Sequence, residues 1–259
     1  MKVTLIGSGS KGNCYMIDDG YSRILLDAGV PFRKLQEAIN YESSVLDGVL
    51  ITHEHGDHCK AVDKLARRNI PIFASQPTLR VLKPPLEKTL AGRSVKAGTD
   101  FFIFSRSGHR PAMHKVLPFR VNHDAVKPLG FLIESVNTGE RVLYFTDTAY
   151  LDYVFANVDI VIGECNYSEE ILRQNVANSL LPESHANRVR KTHFALDNYL
   201  DMLDAMKGKE RLKLLVIAHL SDGNSNEEAF VKAVEKKLEN YPKARVIAAK
   251  QNEVEVYDV

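Results

Sequence analysis

Short apolar runs punctuated by glycine open the chain. Val3 to Ile6, Cys14 to Ile17 and Arg23 to Leu26 read as strands, separated by the turns Gly7-Ser-Gly-Ser-Lys-Gly12 and Asp18-Asp-Gly20, so an antiparallel meander is expected. Pro31 to Ile39 has helical character with its proline early, and Val45 to Thr52 is an apolar strand leading to His53. Lys60 to Arg68 carries Ala61, Leu65 and Arg68 at helical spacing. Further strands are expected at Val116 to Val121, Leu129 to Glu134, Arg141 to Thr146, Val158 to Gly163 and Leu212 to Ala218. Ser184 to Met206 reads as mostly helical, and Ser225-Asn-Glu-Glu228 as a capping box opening a helix through about Leu238. Ala244 to Ala249 and Glu253 to Tyr257 form a closing strand pair. This order predicts a two-sheet α/β sandwich with helices outside, with residues 1–259 as a single domain.

The pattern also places chemistry. His123, Asp147, Glu164 and His219 each follow an apolar strand, where a rigid scaffold can aim several side chains at one point. Three of the nine histidines fall within Thr52-His53-Glu54-His55-Gly56-Asp57-His58. Imidazole and carboxylate suit borderline divalent ions, and a two-residue His spacing on extended backbone turns both rings to one side. Asp57 and His58 can then face a second ion, and Gly56 frees the backbone between the pairs. Glu54 points the other way, to solvent or to a supporting role.

Composition narrows the class. With 34 basic against 33 acidic residues, no global positive field exists, so any phosphate-binding surface is local. Cys14, Cys59 and Cys165 lie far apart and are expected to be reduced thiols. The N-terminus runs straight into a strand and no segment has the length of a transmembrane helix, so a cytoplasmic protein without membrane contact is expected.

His53-Glu-His-Gly-Asp-His58 resembles the HxHxDH signature of the metallo-β-lactamase superfamily. That resemblance implies an αββα sandwich holding two divalent ions, Zn or Mn, with Ni or Fe also admissible. It further implies that His123 is a later histidine ligand, Asp147 a bridging carboxylate and His219 the last ligand. Ser8-Gly-Ser-Lys-Gly-Asn13, Leu25-Leu-Asp-Ala-Gly29, His123-Asp-Ala, Glu164-Cys-Asn-Tyr167 and Ala218-His-Leu-Ser221 together resemble the YycJ (WalJ)-like branch. Proteins of that branch are associated with 5′ exonuclease activity on DNA. The resemblance therefore implies a metal-dependent phosphodiesterase working through a metal-bridging hydroxide, with nucleic acid as substrate, DNA before RNA. Where the branch carries Gly-His-Leu-Ser-Asn, this chain has Thr192-His-Phe-Ala-Leu196, so His193 needs different support as general acid or phosphate contact.

Asp57 is expected to orient the nucleophile as well as bind metal, and Glu164 and Asn166 to steady the ligands. Local basic groups offered for nucleic acid are Lys11, then Arg106, Arg110 and Lys115 around His109 and His114, and Arg188, Arg190 and Lys191; His185 is the remaining histidine. Two rival readings remain open: a small-molecule hydrolase of lactones, thioesters or cyclic nucleotides, and a non-catalytic DNA-associated metal-binding module.

Overall fold

The computed structural model describes residues 1–106, 113–251 and 253–259. Its strands form two mixed sheets of seven, flanked by helices. The chain divides into two compact units, one of Met1–Arg120, Ala125–Tyr144 and Lys250–Val259, the other of Val121–Asp124 and Phe145–Ala249.

The first unit holds one whole sheet. Its strands are β1 (Lys2–Gly7), β2 (Cys14–Asp18), β3 (Arg23–Leu26), β4 (Gly48–Leu50), β5 (Ile72–Ser75), β6 (Gly92–Val95) and, from the chain end, β14 (Glu255–Asp258), in the order β14-β1-β2-β3-β4-β5-β6. β1, β2 and β3 form the expected antiparallel meander, and β3 to β6 run parallel. The central strands are buried along almost their whole length while β6 and β14 are largely exposed, as expected when both faces of a sheet interior are covered. Leu25, Val49, Ile51 and Ile72 meet Leu35 of α1 (Phe32–Ala38) and Leu65 in one core. The same unit carries β7 (Phe101–Phe104), β8 (Met113–Arg120), β9 (Leu129–Ser135) and β10 (Arg141–Phe145) up to Tyr144, paired antiparallel in that order.

Several expectations change here. The apolar run from Val45 begins in a 3₁₀ turn, Ser43–Val45, and only Gly48–Leu50 pairs as a strand. The helix expected over Lys60 to Arg68 is confined to α3 (Val62–Ala66), and a separate single turn, α2 (Gly56–Cys59), precedes it, with Lys60 and Ala61 between the two. The amide of Ala61 is taken by the carbonyl of Ala28, a long-range bond that competes with a continuous helix. β5, β6, β7 and the helix α4 (Gln76–Val81), capped by the Ser75 hydroxyl on the Thr78 amide, were not visible in the pattern.

In the second unit β11 (Ile160–Glu164), β12 (Leu214–Ala218) and β13 (Arg245–Ala248) pair in parallel. Four helices accompany them: α5 (Glu169–Ala177), α6 (Glu183–Thr192), α7 (Leu196–Ala205) and α8 (Glu227–Lys237). The stretch expected as one helix from Ser184 breaks at His193, whose extended backbone (φ −132°) lies between α6 and α7. The capping residue of α8 is Asn226 rather than Ser225; its side chain accepts from the Ala229 amide. The closing strands are not a pair, since β13 joins β12 and β14 joins β1.

Candidate functional site

The first donor set grows out of one turn. β4 delivers the chain through Ile51 and Thr52 to His53, and α2 then carries Asp57 and His58 in its only turn. That turn is clamped by backbone bonds: the Asp57 carbonyl accepts from Asn13, and the His58 carbonyl from Ala28. Gly29 is required beside it, because a Cβ there would lie 1.6 Å from the Asp57 oxygen. His53 Nε2 is 3.1 Å from His55 Nδ1, and His58 Nε2 is 3.4 Å from Asp57 Oδ2. Donor atoms at these separations match adjacent vertices of a tetrahedron, about 3.3 Å apart for metal bonds near 2.0 Å. The donor chemistry therefore fits divalent ions.

Asp27 supports this set from beneath. It is fully buried at the end of β3 with φ 56°, and its carboxylate accepts from the Thr52 amide and hydroxyl and from Tyr144 Oη at 2.6 Å. His58 Nδ1 lies 2.7 Å from the same carboxylate. An imidazole held at Nδ1 presents its Nε2 lone pair, which is how a partner behind a ligand fixes its tautomer. Asn13, also fully buried, sits 3.1 Å from that Nε2 through its amide nitrogen. The sequence named Asp27, Asn13 and Thr52 only within longer stretches and assigned none of them, nor Tyr144, a role behind the ligands. A buried aspartate after an apolar strand was the available signal. Glu54, expected to face solvent or to play a supporting role, accepts from the Val126 amide through its Oε1. Burial pushes the Cys59 thiol up to about 11, so it is a neutral packing group.

The second donor set is assembled from four separate segments. Asp147 follows β10, Glu164 ends β11, His193 occupies the break before α7 and His219 follows β12. One ligand atom from each lies within 4.8 Å of all the others. Asp147 (φ 47°) and His219 (φ 53°) hold left-handed backbone that non-glycine residues rarely adopt, the sort of strain that accumulates where a fold must aim a side chain. His219 Nδ1 is 3.4 Å from Asp147 Oδ1 and 3.3 Å from Glu164 Oε1, and the Asn166 amide nitrogen reaches both that ring nitrogen and the His219 carbonyl.

His193 has replaced its missing serine and asparagine neighbours with carboxylates. Its Nδ1 is 2.7 Å from Glu164 Oε1 and 3.5 Å from Asp147 Oδ1. Burial disfavours the imidazolium, but the Glu164 charge and the bonds to Asp147 and Glu164 outweigh it and raise the group to about 10. His123 lies in the same unit, with Nδ1 at 2.9 Å from the Thr192 carbonyl and Nε2 at 3.8 Å from Asp147. Desolvation lowers its pKa against the pull of Asp147, leaving the neutral imidazole a metal needs.

The basic groups divide sharply. Arg190 is engaged by Glu169 at 3.0 Å and Glu183 at 3.3 Å, and Lys115 by Asp100 at 2.7 Å. His114 is fully buried with Nε2 3.4 Å from Asp19, so it offers no surface to nucleic acid. His109 and Arg110 lie outside the described residues. His185 is exposed on α6, and Lys11 and Arg106 are exposed, whereas Arg188 and Lys191 line a cleft with His123. Among the described residues no helix is long and apolar enough to cross a membrane.

A β-lactamase superfamily domain model matches residues 22–219. The chain is 26% identical over 240 residues to exodeoxyribonuclease WalJ of Streptococcus pneumoniae serotype 2, covering 88% of this chain and 84% of that one. It is 27% identical over 252 residues to exodeoxyribonuclease YycJ of Bacillus anthracis, covering 92% and 89%. The crystal structure of the metallo-β-lactamase fold protein YhfI from Bacillus subtilis superposes with a TM-score of 0.70 at 18% identity, over 99% of both chains.

Proposed function

The chain belongs to the β-lactamase superfamily and is a metal-dependent hydrolase, and on that premise we propose that it is a phosphodiesterase degrading DNA from the 5′ end. The proposed ligands are His53, His55, Asp57, His58, His123, Asp147 and His219, holding two divalent ions, zinc or manganese. Such ions, when bound, supply Lewis-acid activation of water and offset charge on a phosphoryl group. Asp57 orients the attacking water, and Asp27 keeps His58 in the ligating tautomer. His193 contacts the phosphate or protonates the leaving oxygen, with Glu164 setting its orientation.

One observation carries the choice of substrate. His193 Nδ1 is held 2.7 Å from Glu164 Oε1 and 3.5 Å from Asp147 Oδ1, a pairing that favours the positive imidazolium over the neutral ring at the donor set. That charge complements an anionic phosphodiester and offers less to a neutral lactone or thioester. The resemblance to two exodeoxyribonucleases over most of the chain supports DNA as the diester.

The test is nucleotide release from 5′-phosphorylated and from 3′-labelled DNA by the metal-loaded protein, with a cyclic nucleotide and a lactone alongside. Metal-dependent shortening from the 5′ end is expected, with Asp57→Ala folded but about 10²- to 10³-fold slower, a loss typical of removing a group that stabilises the transition state. Turnover retained in Asp57→Ala would overturn the mechanism. Intact DNA with a hydrolysed lactone would overturn the substrate.

A further inference from the structure

α6 carries a polar face that the metal chemistry does not explain. Ser184, Asn187, Arg188 and Lys191 are spaced at i, i+3, i+4 and i+7 and so share one side of the helix, while Ala186 and Val189 are buried in the core on the other. Those four residues, with Asn122, His123, Asp124 and Thr192, line a cleft of about 460 Å³. The size falls within the range of small-ligand sites. Its cations are free to act: Arg188 is 67% exposed and only grazes Asp124 at 3.5 Å, and among the described residues Lys191 makes no ion pair. Arg190, one position from each, is by contrast consumed by Glu169 and Glu183. Among the described residues, Asp124 is the single acid lining the cleft.

An aromatic ledge adjoins the cleft. Asn122 lines the cleft and donates its side-chain amide to Tyr150 Oη at 2.8 Å, which fixes the ring at the rim while 47% of the residue stays exposed. Tyr150 in turn opens a second hollow of about 280 Å³ with Tyr153, Val154 and Phe194, whose lining also includes the acids Asp152 and Asp201, so the phosphates are assigned to the cationic cleft and only a base to this side. Tyr153 and Val154 are 40% and 60% exposed, an apolar patch on a surface loop. A cationic cleft beside an exposed ring is the pairing that single strands require, because the backbone needs charge and an unstacked base needs a π face. A paired base reaches a ring at the side of the backbone only after it is unstacked and unpaired, a cost that a single strand does not carry.

We propose that this cleft and ledge bind a single-stranded polynucleotide, with a backbone phosphate at Arg188 and Lys191 and the adjoining base stacked on Tyr150. The inference rests on the phosphodiesterase reading and narrows its substrate to strands with an unpaired end. His123, as a lining residue, ties the cleft to the ligand set.

The test measures binding of the metal-loaded full chain to a fluorescent, hydrolysis-resistant phosphorothioate oligonucleotide by anisotropy across a salt series. DNA and RNA strands of one sequence and the blunt DNA duplex form its arms. Single strands of either sugar are expected to bind more tightly than the duplex. Arg188→Ala with Lys191→Ala should lower the salt slope by about 1.4, roughly 0.7 for each lost phosphate contact. Tyr150→Ala should weaken binding by about 5- to 100-fold at unchanged slope, and Tyr150→Phe should retain affinity. Lys232→Ala with Lys236→Ala on α8 serves as the charge-matched control. Unchanged affinity in Tyr150→Ala, an unchanged slope in the α6 pair, or tighter binding of the duplex would overturn the proposal. If wild type cleaves ordinary DNA while these variants bind as it does, the cleft falls and the phosphodiesterase reading stands. If wild type neither binds nor cleaves DNA, both fall.

Discussion

The two donor sets reach comparable density by opposite routes. His53, His55, Asp57 and His58 come from six consecutive residues, and their placement needs one strand end, one turn and the clamp of Asn13, Ala28 and Gly29. Asp147, Glu164, His193 and His219 are spread over more than seventy residues and meet only because β10, β11 and β12 end together and α6 breaks. The first set is thus secured by local geometry and one buried carboxylate, Asp27. The second is secured by mutual charge, with His193 between Glu164 and Asp147, and by strained backbone at Asp147 and His219. A contiguous set is exposed to steric insult beneath its turn, and a dispersed one to loss of a charge.

The largest effect is expected from Gly29→Ala. The added methyl would meet the Asp57 carbonyl at 1.6 Å, so the turn must move. A destabilisation of roughly 3 kcal/mol or more is expected, in the range of severe overpacking, with weaker metal uptake. Thermal unfolding and metal titration check it; a variant with wild-type stability and stoichiometry would show that the turn is not seated on Gly29.

Glu164→Gln probes the second set. The substitution keeps shape but removes the charge beside His193, so kcat is expected to fall by about 10- to 100-fold while the fold persists. KM for a phosphodiester should change less than kcat if Glu164 acts by positioning His193. An unaltered kcat would reduce the second set to metal ligation alone.

The smallest effect lies away from both sets. His114 is buried beside Asp19, and its pKa is lowered because burial outweighs the pull of Asp19, Asp47 and Asp18. Since its folded pKa lies below the unfolded value, the unfolded chain takes up the proton first as pH falls. The neutral buried ring therefore contributes stability that is full above the unfolded pKa, near 6.5, and is lost as pH drops below it toward the folded value. Unfolding free energy should decline there with a slope of at most about 1.4 kcal/mol per pH unit from this group. His114→Phe should remove that part of the decline while the donor sets titrate as before; an identical pH profile would assign the acid lability to the ligand histidines.

Much of this was legible beforehand, for reasons visible in particular residues. The meander from Val3 to Leu26 was readable because glycine turns separate clean apolar runs, and the His53 to His58 cluster because its ligands are neighbours in sequence. β5, β6 and β7 were not, since Ile72–Ser75 is a short buried run and Gly92–Val95 is half polar, and both acquire strand character by pairing. The break at His193 was equally hidden: Ser184 to Met206 has helical composition throughout, and the interruption follows from the Asn166 amide bonding to the Phe194 carbonyl and the Leu196 amide to Tyr167.

The amino-acid order by itself determined which side chains could ligate, where the apolar strands that carry them lie, and that positive charge would be local. It could do so because ligand chemistry and strand patterning are properties of residue type and near-neighbour spacing. Tertiary structure alone decided that Asp27 stands behind His58, that Glu164 stands 2.7 Å from His193, and that Arg188 and Lys191 are available while Arg190 is not. Each of those outcomes depends on the partner brought within about 3 Å across a long loop of chain, and electrostatic and hydrogen-bond energies are set by that distance and by burial.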